Sequence, residues 1–541
     1  MLNPETTLAT AAPTVAAAAL RFDLARPSRR AAATPAPTPI STWAVTLGMF
    51  VFAAVWLAHL SSTNLSPPVD DIEQLSWVRS LEWGYYKHPP LPTWLLWLPV
   101  RLLGLSASTV YAVGAIVTLA ALVIYWRLLV NMRGAAYALV ALLAAACITY
   151  YNGRLHYYNH NVVLLLASTA SAALCWQAFI TRRRRWWLAL GVVVGLGALA
   201  KYQIAVTVLC ILAFAVHQRA WRDVQQRQGL LLAGLAALVL FSPHIRWLQL
   251  HDYGPIGYAL DSSMGPHAKL STRTIRSSHW LLDQLFNRAL PAFLLLAMAT
   301  VLAGRTAQPA AHEPTPLAQA ERDAGRALLL SWGLVPLLFI PLVGIFTGAK
   351  VQLHWGTPFL LFVVPAVMEM APRTLWQRPD RRALLAAFVA IQALLLGISH
   401  QSAQRGPRLL TDTQALNTAW NDTAWRHIDA QAIADAVGPL ARSALAGPVR
   451  VVSGPAAMAG ALALALPEHP VVLIDGRFDQ SPWVPRTLLA SCGGVEIGST
   501  PNLPLGTEIG ASLPGWSWQV MPPDSKAALA CRPAASRLRV D

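Results

Sequence analysis

Charge is scarce in this chain. Of its 541 residues, 13% are Asp, Glu, Lys or Arg and 55% are hydrophobic, where a soluble domain carries about 25% charged residues. With a mean hydropathy of +0.44, that balance excludes a soluble enzyme and excludes disorder for most of the chain. Lysine is rarer still: among 42 basic residues only Lys87, Lys201, Lys269, Lys350 and Lys526 are lysines. Five cysteines show no paired metal spacing, and Cys147, Cys175 and Cys210 sit in apolar stretches as small core residues. No Walker A motif is present, so an ATP-driven pump is not supported. No aromatic-interleaved basic stripe accompanies the net charge of +16, which argues against nucleic acid as a partner.

What the chain has instead is long apolar runs. They predict about eleven membrane spans, near 41–60, 107–130, 135–151, 160–180, 186–200, 202–217, 229–248, 289–303, 327–346, 352–370 and 383–399. Lys201 divides two runs that are short for a span. The arginine-rich loops at 127–133, 182–185, 219–227, 305–326 and 373–382 all fall on one side, which the positive-inside rule makes cytoplasmic. Residues 1–39, rich in Ala, Thr and Pro, read as a disordered cytoplasmic tail on that same side. Residues 40–399 form the membrane domain, with an outer loop at 61–90 and an interfacial helix at 91–104.

Residues 400–541 differ. A helical stretch (411–446), VRVVSG (449–454), a helix (455–466) and PVVLID (470–475) alternate as in a small α/β domain. An odd number of spans puts it outside the cytoplasm. There Cys492 and Cys531 either pair or remain two free thiols.

The chemistry-bearing residues gather at the outer face. Four lysines, Lys87, Lys201, Lys269 and Lys350, lie there against the positive-inside trend, with Arg154, His156, His244, Arg246 and His354 in the same layer. Taken singly, each reads as a contact to lipid headgroups; as a set beside acids, they read as an anionic site. The acids are Asp70, Asp71 and Glu73, in PPVDDIEQLSW. One Asp suits a helix cap; the second is more than a cap requires and could act as a general base on a hydroxyl. Glu73 leaves open a divalent cation with oxygen ligands. GLGALA at 195–200 matches a dinucleotide fingerprint but lies within a predicted span, so its glycines are expected to serve close helix packing. His156 and His160 have i,i+4 spacing without the glutamate of a helical zinc pair.

The segment PPVDDIEQLSWVRSLEWGYYKHPPLPTWL resembles the bacterial family 39-like glycosyltransferases, which include protein O-mannosyltransferases and the aminoarabinose transferases that modify lipid A. The resemblance rests on Asp70-Asp71 after the first span and on Lys87-His88-Pro89-Pro90-Leu91 with Trp94. It continues in RLHYYNHN (154–161), GLGALAKY (195–202), SPHIRWLQLHDYGP (242–255) and KVQLHWGTPF (350–359). The tail takes part through VRVVSG, VVLIDGRFDQSPW and the Gly-Val pair at 494–495.

The resemblance implies a GT-C fold, an all-α polytopic membrane bundle carrying a small extracytoplasmic α/β domain, in the bacterial inner membrane. It implies a polyprenyl-phosphate sugar donor, membrane lipid as surroundings and no nucleotide site. Asp70 matches the catalytic acid, and Asp71 stands where many relatives carry Glu. Lys87 matches a lysine near the lipid phosphate, with Arg154, Lys201 and Lys350 in support. Glu73, His88, His156, His244 and His354 are expected to contact substrate.

The physical logic agrees. A polyprenyl phosphate departs as an anion and needs positive charge where that anion develops. Asp70 would take the acceptor proton in a single displacement, which predicts inversion. The competing reading is a transporter or flippase of a lipid-linked anion; against it, the polar residues gather at one face and no inverted repeat is evident.

Overall fold

A computed structural model describes residues 41–264, 268–303, 316–372, 374–377, 379–404, 425–524 and 531. The N-terminal tail predicted over 1–39, and part of the helix predicted over 411–446, lie outside the described residues.

Among the described residues, six helices are long and apolar enough to cross a membrane: α1 (Thr42–Thr63), α4 (Ala107–Arg133), α6 (His160–Thr181), α9 (Val224–Leu250), α13 (Pro316–Thr347) and α16 (Arg381–Gln404). A seventh candidate is the pair Leu270–Arg288 and Leu290–Leu302, bent by 51°. It contains α11 (Leu270–Asp283) and α12 (Leu290–Ala303), while the short α10 (Gly254–Ser263) precedes it. The chain is a multi-pass membrane protein. On α1, Trp43, Leu47 and Phe50 are exposed, as a lipid-facing surface requires.

The remaining predicted spans are helical but shorter. α5 (Ala135–Ala146) stops where the Asn152 Nδ2 donates to the Ala146 carbonyl at 3.1 Å. α7 (Arg184–Ala200) and α8 (Ile204–His217) are separated at Lys201. Residues 352–370 form two 3₁₀ turns, Leu353–Gly356 and Leu360–Phe362, before α14 (Val363–Met370). Pro358 accounts for the break, since it cannot donate to a continuing helix. α15 (Thr374–Gln377) is a single turn.

The glycines of 191–197 do pack helices closely. A Cβ at Gly191 would run into the Ala233 carbonyl of α9, and one at Gly195 would lie 3.0 Å from the Ala237 carbonyl.

The outer loop holds α2 (Val69–Trp77) and leads to α3 (Leu91–Leu103). Pro68 precedes α2, and Asp70 and Asp71 lie in its first turn, near the positive end of its dipole. Neither aspartate caps the helix, contrary to expectation: both side chains are bonded elsewhere, as described below.

The C-terminal domain contains α17 (Ala430–Ala444), β1 (Val451–Gly454), α18 (Ala456–Ala465), β2 (Val471–Ile474), α19 (Arg486–Cys492), β3 (Gly494–Ser499), β4 (Thr507–Glu508) and β5 (Trp516–Met521). The strands order β2-β1-β3-β5-β4. β1 pairs in parallel with β2 and β3, while β5 is antiparallel to β3 and β4. Cys492 and Cys531 are disulfide-bonded.

This domain shares its core with the outer loop. Trp77 and Tyr85 are buried in one cluster with Ile433, Val451, Leu473 and Trp516. Ile72 of α2 meets Gly460 of α18 so closely that a Cβ there would collide with it. The backbone is tied as well: the Leu65 N–H donates to the Arg426 carbonyl at 2.9 Å and Trp425 Nε1 to the Pro67 carbonyl at 2.6 Å. The loop carrying the acids is therefore ordered by both the membrane helices and the C-terminal domain.

Candidate functional site

α2 presents its carboxylates in different directions. Asp71 is fully buried, and its Oδ1 accepts from the Tyr158 backbone N–H at 2.9 Å. Asp70 is only partly buried, and its Oδ2 accepts from Asn159 Nδ2 at 2.9 Å. Asn159 also caps α6, its Oδ1 accepting from the Asn161 and Val162 N–H groups. One asparagine thus sets the start of α6 and the position of Asp70 together.

Glu73, one turn further along α2, bonds Lys87 in a buried ion pair. Lys87 is 7% exposed and Glu73 3%. The ammonium also lies 5.3 Å from the Tyr86 ring centroid and 5.2 Å from that of Tyr258 on α10. Burial opposes the Lys87 charge, but Glu73 and the two tyrosines outweigh it, so its pKa is raised and the lysine stays protonated. Glu73 does not complete an oxygen-ligand cation site: its carboxylate is taken by Lys87, and among the described residues no group of three or more His, Cys, Asp or Glu is placed to hold a metal.

Beside Lys87, the His88 ring lies 3.8 Å, centroid to centroid, from that of His160. Burial, with the positive charges of Lys201 and Lys87 adding to it, holds the His88 pKa well below its ordinary value. It is a neutral hydrogen-bonding group at pH 7. Lys201 donates to Asn161 Oδ1 at 2.7 Å. Burial pushes its pKa down to about 8, with Asp70 working against the fall. His354 is electrostatically coupled to Lys201 and Arg154. Arg154 lies 5.8 and 5.2 Å from the Tyr150 and Tyr157 ring centroids.

The fold therefore assembles Asp70, Glu73, Lys87, His88, Lys201 and His354, with Arg154 at the edge. It does not bring in all the expected residues. Lys350 is exposed, beside the bridge that pairs Met264 with Ala349. His244 is buried with both ring nitrogens occupied, Nδ1 by the Trp83 carbonyl at 2.5 Å and Nε2 by the Tyr202 hydroxyl at 2.8 Å. It ties α9 to the outer loop rather than facing a substrate. His156 is buried between Tyr111 and Tyr157, with ring centroids 5.0 and 4.7 Å away.

Sequence reasoning missed Tyr86, Asn159, Asn161 and Tyr258, and treated His160 only as a weak metal candidate. Tyr86 adjoins Lys87, and both asparagines flank His160, so three of these four lay inside quoted motifs. Tyr258 had no local signal.

A cavity of about 990 Å³ opens from Lys87, Tyr86 and Tyr258 toward the C-terminal domain, whose Asp475 and Trp516 line its far wall. Among the described residues, Lys87 is the one lysine in its lining.

Residues 87–247 match the family model described as dolichyl-phosphate-mannose-protein mannosyltransferase. No curated protein matches the chain significantly. Among solved structures the chain is similar to ArnT from Cupriavidus metallidurans. In the apo state the TM-score is 0.55 at 14% identity, covering 85% of this chain and 94% of that one. Bound to undecaprenyl phosphate it is 0.56 at 15% identity, covering 89% and 98%. The chain shares the fold of that structure over most of its length.

Proposed function

We propose that this chain is a membrane glycosyltransferase, moving a sugar from a polyprenyl-phosphate donor to an extracytoplasmic acceptor. The observation that carries the reading is the juxtaposition of a partly accessible acid, Asp70, with the half-buried Lys201 and the buried Lys87, the last of which lines a large cavity. The family match over 87–247 and the undecaprenyl phosphate bound by the structurally similar ArnT support it.

In this reading the phosphate of the donor lies against Lys87 and Lys201, with neutral His88 and, beside it, His160 as further hydrogen-bonding partners. Asp70 takes the proton of the acceptor group. The acceptor atom attacks the anomeric carbon as the bond from that carbon to the phosphate oxygen breaks, and polyprenyl phosphate leaves. One displacement inverts the anomeric configuration. Fixed positive charge at the departing oxygen lowers the barrier without a general acid. Asp71 has a structural task, holding the 158 backbone against α2. The N-terminus faces the cytoplasm, and the C-terminal domain lies on the outer side of a bacterial inner membrane. Transport is disfavoured because the charged groups gather at loops and helix ends beside the C-terminal domain, not at mid-helix.

The test is mass spectrometry of lipids co-purifying with wild type, Asp70→Asn and Lys87→Ala. A sugar-bearing polyprenyl phosphate retained by Asp70→Asn and lost in Lys87→Ala supports the transferase and names the sugar. Absence of such a lipid from every sample overturns the donor assignment.

A further inference from the structure

The cavity has a second wall, and it comes from the C-terminal domain. β1 and β2 run in parallel and end side by side at Gly454 and Ile474. Ligands of parallel α/β sheets gather beyond the carboxyl ends of the strands. Here those ends open on the cavity, which Ala456 lines after β1 and Asp475 after β2.

Asp475 is held at a left-handed φ of 47°, a conformation that costs a residue with a Cβ free energy and recurs at functional sites. The surroundings enforce it. Its N–H donates to the Gly454 carbonyl at 2.9 Å, and the loop beyond is pinned by the Ile474 N–H donating to Ser481 Oγ at 2.9 Å. Desolvation raises the Asp475 pKa, and Lys87 and Arg477 work against that rise; the donor-side lysine and this carboxylate sense each other across the cavity.

Charge in the cavity is one-sided. Five carboxylates line it, those of Glu82, Asp252, Asp261, Asp475 and Asp479, against Lys87 and Arg477. Both cations already have partners, Glu73 and Asp479. Away from Lys87 the vestibule is negative, and Trp516 adds an aromatic side chain to its wall.

We propose that Asp475 positions and selects the acceptor, accepting hydrogen bonds from the hydroxyls of a neutral carbohydrate, while the acidic vestibule rejects acceptors that carry phosphate. This rests on the transferase reading above, and adds to it the class of acceptor and the residue that recognises it. A carboxylate suits hydroxyl donors and repels a phosphate dianion.

The full-length protein in lipid nanodiscs, labelled and applied to an array of neutral and phosphorylated glycans, tests this, with undecaprenyl phosphate binding measured in parallel. The expected result is retention by neutral glycans, weakened about tenfold or more in Asp475→Asn, with undecaprenyl phosphate binding not weakened. Asn and Gly both tolerate left-handed backbone, so Asp475→Asn and Asp475→Gly remove the charge without adding strain, and intact lipid binding reports an intact fold. Retention by phosphorylated glycans, equal retention by wild type and both variants, or no retention of any glycan overturns the proposal while leaving the transferase reading in place. Loss of undecaprenyl phosphate binding in wild type overturns the transferase reading instead.

Discussion

Asp70 and Asp71 are neighbours in the chain with opposite surroundings: Asp71 is sealed in the protein and accepts from the Tyr158 N–H, whereas Asp70 is partly accessible and held by Asn159 beside Lys201. Consecutive residues on a helix point about 100° apart, so a single helix can spend one acid on architecture and offer the other to chemistry.

Their substitutions are expected to separate. Asp70→Asn abolishes sugar transfer but keeps the fold and polyprenyl phosphate binding. Asp71→Ala leaves the Tyr158 N–H buried and unpaired, a loss of about 1–3 kcal/mol, seen as a lower unfolding midpoint in detergent. Equal midpoints for wild type and Asp71→Ala would contradict the assignment.

Lys87 and Glu73 should behave as a coupled pair. Lys87→Met strands a buried carboxylate and costs about 3–5 kcal/mol, and adding Glu73→Gln recovers most of that stability. Undecaprenyl phosphate binding stays lost in the double variant, because the cation is gone. A double-mutant cycle on unfolding and on binding distinguishes the two effects; recovery of binding together with stability would show that Lys87 has no direct part in it.

Lys201 predicts a pH dependence. With its pKa pushed down to about 8 by burial, it loses its proton as pH rises from 7 to 9, and undecaprenyl phosphate affinity falls over that window. Stability runs the other way. The unfolded lysine titrates near 10.4, so between about pH 8 and 10.4 the unfolded state binds more protons and this residue's contribution to stability rises with pH. Lys201→Met should flatten both profiles. Affinity unchanged from pH 7 to 9 in wild type would remove Lys201 from the phosphate site.

Gly191→Leu should loosen the contact of α7 with α9, since its side chain has no space against the Ala233 carbonyl. Overpacking of this kind costs about 1–3 kcal/mol. Because His244 on α9 holds the outer loop through the Trp83 carbonyl, transfer should fall as well, with Gly234→Leu as the control where nothing lies within 4 Å of an added Cβ. Equal thermal midpoints for the two variants would argue against the packing role.

The membrane class, the apolar segments, the alternating elements of the C-terminal domain and the acid-plus-KHPP signature were all written locally. Hydropathy, proline placement and short-range motifs depend on neighbours in the chain, and one sequence displays them. Which residues meet was decided by tertiary packing. Nothing local distinguishes His244, bonded at both nitrogens, from His88, packed against His160, or the exposed Lys350 from Lys87 in its buried pair. Tyr258 and Asp475 reach the site from 171 and 388 residues beyond Lys87. Their roles exist only once the helices are packed and the domain is docked, because burial and electrostatic coupling are properties of three-dimensional neighbourhoods and not of position along the chain.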